Sequence, residues 1–321
     1  MSEAAAPATR RRGARVPTGA PLALVGPTAS GKTEAGVELA GRLGAEVLVI
    51  DSMTVYRGME IGTAKPGPRE REAVTHHLLD LADPSEPFSV AGFQALAREV
   101  LSSLKARGVQ ALLVGGSGLY FRAVVDGLEF PGTDPGVRRR LEAEGSVLGA
   151  ASLHRRLQAF DPTAAARIEP PNLRRTVRAL EVAAITGRPF SSFSSDWDRY
   201  PDGRVHAAGV ELPSQVLRRR IEQRVHHMLR QGFIGEVRRL LHEGFGPFLT
   251  SSQAIGYLEV SLHLQGRLTA EEMVEAMVRR TRNLARRQMA WFRRDRRIRW
   301  FAAGEGGALE LADGIEEYLR G

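Results

Sequence analysis

The sequence predicts an α/β chain: a core built on a parallel sheet and interrupted by an inserted helical subdomain. Three observations carry that expectation. Gly26-Pro27-Thr28-Ala29-Ser30-Gly31-Lys32-Thr33 follows the apolar run Leu22, Ala23, Leu24, Val25 and leads into a helix-like stretch, the strand–loop–helix setting of a G-x-x-x-x-G-K-[ST] phosphate-binding loop. Two further apolar runs, residues 46–50 and 109–114, end in polar residues, as buried parallel strands do at the sheet edge where ligands bind. After Asp126-Gly127 the character changes: Pro131-Gly132-Thr133-Asp134-Pro135 marks a boundary, and arginine-rich helix-like segments follow to about Tyr200. The expected architecture is a P-loop NTPase-like core from residues 20–130 and 204–321, with a helical insertion at 131–203.

Residues 1–19 are rich in Ala, Arg, Pro and Gly and lack the apolar segment of a secretory signal, so they read as a disordered basic leader. The first strand, residues 21–25, feeds the phosphate loop, and a helix follows over 34–43. The strand at 46–50 ends at Asp51-Ser52. His76-His77-Leu78-Leu79-Asp80 reads as a loop whose histidines pack rather than bind metal, because no third partner stands at ligand spacing. A helix over 88–105 leads to the strand at 109–114, which ends in Gly115-Gly116-Ser117-Gly118. Within the insertion, Asp161-Pro162 starts one helix and Pro170-Pro171-Asn172 another, over 173–186 and closed by Gly187. Residues 205–212 rejoin the sheet as a strand, with helices at 215–231 and 235–242. The segment 279–299 reads as one helix, with Met277, Thr281, Leu284, Ala285, Gln288 and Phe292 at three- and four-residue steps as its packing face.

The 321 residues include no cysteine, which excludes disulfides, thiolate zinc sites and cysteine nucleophiles. No apolar run reaches the length of a membrane span. A cytoplasmic protein is expected, and a monomer, since no apolar interface helix stands out. The formal charge of +8 fits either a polyanionic partner or a genome-wide arginine bias. Its distribution favours the first, because from Arg279 to Arg299 ten arginines stand against one acid, Asp295. Such a helix points to phosphate contacts, most simply with nucleic acid.

The phosphate loop sets the chemistry. Its backbone amides and the helix end behind it receive a polyphosphate; Lys32 reaches the terminal phosphate and Thr33 is the candidate Mg²⁺ ligand. A phosphoryl-transfer site also needs a Walker-B carboxylate, and the strand at 109–114 ends in glycines and a serine instead. Asp51 could supply that group, so the loop alone leaves a kinase or ATPase open.

Several separate motifs resemble those of the tRNA dimethylallyltransferases (tRNA isopentenyltransferases) over about residues 21–301. Besides the loop, they are the run from Asp51-Ser52-Met53-Thr54 to Lys65-Pro66, His76-His77-Leu78-Leu79-Asp80, Leu113-Val114-Gly115-Gly116-Ser117-Gly118-Leu119-Tyr120, Arg178-Ala179-Leu180-Glu181-Val182, Arg220-Ile221-Glu222-Gln223-Arg224-Val225, Gln253-Ala254-Ile255-Gly256-Tyr257, and Arg286-Arg287-Gln288-Met289-Ala290-Trp291-Phe292-Arg293. The resemblance implies a reaction of dimethylallyl diphosphate with the tRNA adenosine just 3′ of the anticodon, giving N6-dimethylallyladenosine and diphosphate. Asp51 is then the base that takes the proton of a poorly nucleophilic exocyclic amine. The loop amides, Lys32, Thr33 with Mg²⁺, Arg224 and the Ser117 hydroxyl are donors to the leaving diphosphate. In this role the loop holds a leaving group, and no Walker-B acid is required.

The resemblance also places tRNA contacts at Asp51, Ser52, Met53 and Thr54; at Arg174, Arg175, Thr176, Val177 and Arg178; at Gln253, Ala254, Ile255, Gly256, Tyr257 and Leu258; and along Arg286 to Arg293. The target base must leave its stack to react, and Gln253 and Gln288 have the amide chemistry to read its edge. Ser117 stands where the family usually has Thr, Leu258 where Lys or Arg is usual, Ala290 for a common Thr and Arg286 for Lys. None of these departures removes a proposed catalytic group. The rivals are a small-molecule kinase or adenylate dimethylallyltransferase, which need no arginine-dense helix, and a non-catalytic RNA-binding ATPase, against which the missing acid counts.

Overall fold

The computed structural model describes residues 19–194, 197, 199–246 and 251–321. The expected basic leader falls, apart from Gly19, outside the described residues. Two compact units divide the chain, one of Met1–Val125 with Asp202–Gly321, the other of Asp126–Pro201. The division comes at Asp126, ahead of the proline-marked boundary at Pro131.

In chain order the first unit begins with β1 (Leu22–Val25), α1 (Lys32–Leu43), β2 (Ala45–Ile50), α2 (Pro68–Ala73), β3 (His76–His77), α3 (Val90–Arg107), β4 (Gln110–Gly115) and α4 (Gly118–Asp126). The second unit holds α5 (Pro135–Leu148), α6 (Ala150–Phe160), α7 (Pro162–Ala165) and α8 (Leu173–Thr186). The first unit resumes with β5 (His206–Glu211), α9 (Ser214–Arg230), α10 (Phe233–His242), α11 (Tyr257–Leu264), α12 (Ala270–Phe292), β6 (Ile298–Ala302) and α13 (Ala312–Arg320).

The described strands form one sheet in the order β3-β2-β4-β1-β5-β6, with every pair parallel. Its central strands carry continuous apolar runs, Leu22–Val25, 47–50 and 111–114, because both faces are covered. On one face Ala23, Val25, Leu48, Ile50 and Leu113 pack with Phe93, Phe121, Met277 and Phe292. On the other, Leu24, Val47, Val49 and Val114 pack with Ala35 and Leu39 of α1 and with Ile315 and Leu319 of α13. Parallel pairing puts the carboxyl ends of β1, β2 and β4 side by side, and that alignment builds the site. No described helix is long and apolar enough to cross a membrane.

The second unit has its own core of Leu141, Leu153, Leu157, Val177 and Leu180. Its helix ends follow the sequence signals: Asp161 and Asn172 cap α7 and α8 through their side chains, and Gly187 closes α8 at φ 68°.

Two expectations are corrected. His76 and His77 are a short edge strand, paired with Val47 and Leu48, rather than a loop. His77 Nε2 lies 2.6 Å from a Glu46 carboxylate oxygen, which ties the strand to its neighbour. The arginine-rich segment is not one helix through residue 299: α12 ends at Phe292, and Ile298–Ala302 forms β6 beside β5. β-Prone Ile298, Trp300 and Phe301 outweigh Arg299 between them once an open sheet edge is available.

The strand-end alignment depends on Gly115. A Cβ there would overlap the carbonyl oxygen of Ile50 on the neighbouring strand, and backbone cannot rotate aside. Gly115→Ala is therefore expected to destabilise the chain by about 1–3 kcal/mol. Urea unfolding should show a lower midpoint at unchanged slope; an unchanged midpoint would contradict the packing described.

Candidate active site

The phosphate loop joins β1 to α1 through backbone that only particular residues tolerate. Gly31 has φ 83° and Ala29 φ 62°, and a Cβ on Gly26 would come within 2.7 Å of the Val210 carbonyl oxygen. Each residue of the loop's tip is held from outside. Thr28 N–H donates to Gln288 Oε1 at 2.8 Å, Ala29 O accepts from Arg220 Nε at 2.9 Å, and Ser30 O accepts from Ala308 N–H at 2.8 Å. Lys32 Nζ curls back to Pro27 O at 2.5 Å and Ser30 Oγ at 3.3 Å, and Thr33 lines the cavity beside it.

At the end of β2, Asp51 is half-buried and one of its oxygens accepts from the backbone N–H groups of Met53 (2.7 Å) and Thr54 (3.4 Å). This Asx turn fixes the carboxylate at the sheet edge. At the end of β4, Gly116 and Gly118 are small because α12 comes down on them. A Cβ on Gly116 would lie 2.5 Å from Gln288 Nε2, and one on Gly118 would overlap the Trp291 indole. Ser117 between them is the one side chain this turn offers to the cavity. β4 neighbours β1 directly, so a Walker-B acid would stand here, and none does.

These strand ends, α9 and α12 enclose a cavity of about 1740 Å³ whose wall includes Lys32, Asp51, Ser117, Arg224, Gln253 and Arg287. Withdrawal from water dominates its electrostatics. Burial, and secondarily the Arg224 guanidinium, push the Lys32 ammonium down to about 7 against a weaker opposing pull from Asp51. Burial likewise raises Asp51 above the usual carboxylate range, although Met53 and Thr54 amides and the two cations oppose it. Arg224 is lowered by burial with Asp51 opposing. Arg224, a lysine that readily takes up a proton and one carboxylate thus share the cavity, half-buried, which suits a bound polyanion.

The remaining sequence-derived residues fall into three groups. Gln253, Ala254, Ile255, Arg287 and Gln288 line the same cavity, as do Ser52, Met53 and Thr54. Others are occupied internally: Tyr257 is buried with its hydroxyl donating to Glu236 at 2.7 Å, Phe292 is buried against Phe121, Arg286 bonds Asn283, and Arg293 pairs with Glu211 at 2.9 Å. Gly256 is a turn residue at φ 94°, Leu258 and Met289 are half-buried, and Ala290 is exposed. The third group belongs to the second unit. There Arg174 and Arg175 are exposed on α8, Thr176 and Val177 are buried, and Arg178 donates to Pro131 O, Gly132 O and Glu181.

The arginine-rich helix is less bare than its own sequence suggests, because its acids arrive from elsewhere: Arg280 pairs with Glu259 and Arg282 with Glu222. Arg287 has no acidic partner among the described residues. Sequence reasoning passed over Arg220, although its i, i+4 spacing from Arg224 puts both on one face of α9. It also missed Glu236, whose buried carboxylate accepts from the amides of Glu60, Ile61 and Gly62 at 3.2, 2.8 and 3.4 Å. No local pattern announces that anchor. Among the described residues no cluster of three His, Asp or Glu side chains could hold a metal.

Residues 54–295 match the family model described as IPP transferase. A tRNA dimethylallyltransferase of Nocardioides is 49% identical over 91% of this chain and 94% of its own length, and one of Streptomyces coelicolor is 50% identical over 90% and 92%. This chain belongs to the tRNA dimethylallyltransferase family. The full-length tRNA isopentenylpyrophosphate transferase of Bacillus halodurans has the same fold, with a TM-score of 0.67 at 40% identity and coverage of 94% of this chain and 97% of that one.

The state of Lys32 generates a prediction. Near pH 8 an ammonium with a pKa of about 7 is roughly nine-tenths neutral, and a bound diphosphate restores its charge. Binding of methyl diphosphate is expected to take up close to one proton near pH 8 and far less near pH 6. Calorimetry in buffers of differing ionisation enthalpy reads the uptake, and Lys32→Arg should abolish it. Heats at pH 8 that are independent of buffer in the wild type would contradict the assignment.

Proposed function

We propose that this enzyme transfers the dimethylallyl group of dimethylallyl diphosphate to N6 of adenosine 37, next to the anticodon of tRNA, releasing diphosphate. One observation carries the reading beyond family membership. A phosphate loop without a carboxylate on the neighbouring strand shares its cavity with a desolvated carboxylate, Asp51, and the cavity extends to the exposed arginine Arg287.

The chain's own groups divide the work. The loop amides, Lys32 and Arg224 hold the diphosphate and take up the charge that builds as the C–O bond breaks. We assign the Ser117 hydroxyl, on the cavity wall between two glycines, to the same group. As the N6 lone pair forms the C–N bond, Asp51 accepts the proton, and burial makes it a stronger base than an exposed aspartate. Thr33 offers a hard oxygen donor, which fits Mg²⁺ because that ion takes few protein oxygens and completes its shell with phosphate and water. When bound it would neutralise diphosphate charge. The adenine is drawn from its stack to reach Asp51, with Gln253 at the cavity wall as the candidate reader of its edge. We assign the exposed arginines of α12 and of α8 to the RNA backbone, and place the enzyme in the cytoplasm as a monomer.

Incubation with radiolabelled dimethylallyl diphosphate and, separately, tRNA, AMP or ATP tests the substrate assignment; label should enter tRNA alone. Asp51→Asn should lower turnover by roughly 10²–10⁴ while tRNA affinity stays within a few-fold. Near-normal turnover in that variant would remove Asp51 from the base role.

The RNA assignment is read in salt dependence. Arg287→Ala should flatten the slope of log affinity for tRNA against log salt by about 0.7–0.9, the release of one counterion. Arg293→Ala should flatten it less, because Glu211 already neutralises that charge. Gln253→Ala should leave the slope alone and relax discrimination at the target base. Equal slopes in wild type and Arg287→Ala would move the RNA surface elsewhere.

A further inference from the structure

The tip of the phosphate loop is fixed by three elements, and only one contact comes from the helix that carries the exposed arginines. That contact is Gln288, which is 9% exposed and takes the Thr28 N–H at 2.8 Å. Three features make it more than packing. First, the bond removes the Thr28 N–H from the amides available to a ligand and fixes the plane of the Pro27–Thr28 peptide, one residue ahead of Ala29. Ala29 itself sits at φ 62°, a conformation unfavourable for a residue with a Cβ, so the loop needs outside contacts to stay there. Second, the side-chain amide is wedged where a Cβ on Gly116 would lie 2.5 Å from Nε2 and 3.2 Å from Cδ, so the same group spaces the loop from the turn that presents Ser117. Third, glutamine supplies an acceptor without net charge. A carboxylate at this position would satisfy Thr28 equally but would repel a diphosphate a few ångströms away.

We propose that Gln288 is a positioning residue for the leaving-group site, holding the phosphate loop in its anion-binding shape from the helix that faces the RNA, rather than a reader of the target base. The proposal rests on the reading of the loop as a diphosphate site. Arg220, which holds the next residue of the tip through Ala29 O and is itself anchored on Glu305 O at 2.7 Å, is the counterpart contact from α9. Together they clamp consecutive residues of the tip from two helices.

The test compares Gln288→Met, which keeps length and volume but has no oxygen acceptor, with Gln288→Glu, which keeps the acceptor and adds a charge. Binding of dimethylallyl diphosphate is measured by calorimetry without RNA, and binding of tRNA without diphosphate. Gln288→Met is expected to weaken diphosphate binding roughly tenfold, the effect of one lost buried hydrogen bond, with tRNA affinity within about threefold of wild type. Gln288→Glu should bind the diphosphate more weakly still. Should Gln288→Met fail to fold, Gly116→Ala, which displaces an intact Gln288, is expected to give the same selective loss. If wild type binds dimethylallyl diphosphate and the variants bind it equally well, or if they lose tRNA affinity or base discrimination instead, the positioning role is overturned. Failure of the wild type itself to bind would instead refute the diphosphate reading on which the proposal stands.

Discussion

The site turns on one electrostatic constraint: Lys32, Arg224 and Asp51, each half-buried, face a common cavity, and their partial burial shifts the ionisation of all three. Charges so placed are costly unless a counter-charge joins them, and a lysine held near neutrality beside Arg224 and Asp51 recovers its proton when a polyanion such as diphosphate enters. The fold around the cavity keeps these groups in register. Parallel pairing brings β1, β2 and β4 to one edge, α9 adds Arg220 and Arg224, and α12 seats Gln288 and Trp291 on the glycines around Ser117. Each group is placed by a different element.

The same arrangement separates this use of a phosphate loop from that of a kinase. A transferred phosphoryl group needs its metal held by a carboxylate on the strand next to the loop. That strand ends in Gly115, Gly116 and Ser117: Gly115 is required by the Ile50 carbonyl on β2, and Gly116 by Gln288 of the helix packed over it. In the proposed reaction the base lies one strand over, at Asp51, which is half-buried and held by two backbone amides, a setting that favours proton transfer over metal ligation. On that proposal the loop keeps its grip on phosphate oxygens and lets the carbon go.

Much of this was legible in the sequence. The phosphate loop, the apolar strands with polar ends and the capped helix α8 announce themselves because each depends on neighbours within a few residues: Gly31 at φ 83°, Asn172 capping Arg175 N–H, Gly187 closing the helix. What stayed hidden depends on distant partners. β6 emerges from an arginine-rich run only because β5 offers an open edge. The pairing of Arg280, Arg282 and Arg293 relies on acids from α11, α9 and β5, so local charge counting overstated the bare arginine surface. Tyr257 and Phe292 carry family motifs yet are buried, the first as an anchor for Glu236 and through it for the loop at Glu60, Ile61 and Gly62. Gln288 shows the same lesson, since its amide chemistry suggested base reading and its position binds it to Thr28.

The central claim is that the loop holds a leaving group, and which bond breaks tests it most directly. Dimethylallyl diphosphate carrying ¹⁸O in the bridge between carbon and phosphorus, turned over with tRNA by the wild-type enzyme, distinguishes the alternatives by mass spectrometry. C–O cleavage leaves the label in the released diphosphate, with the unlabelled dimethylallyl carbon on adenine nitrogen, and that is the predicted result. Label retained on dimethylallyl alcohol, with phosphate groups passed to the RNA, would mean P–O cleavage and would contradict the account.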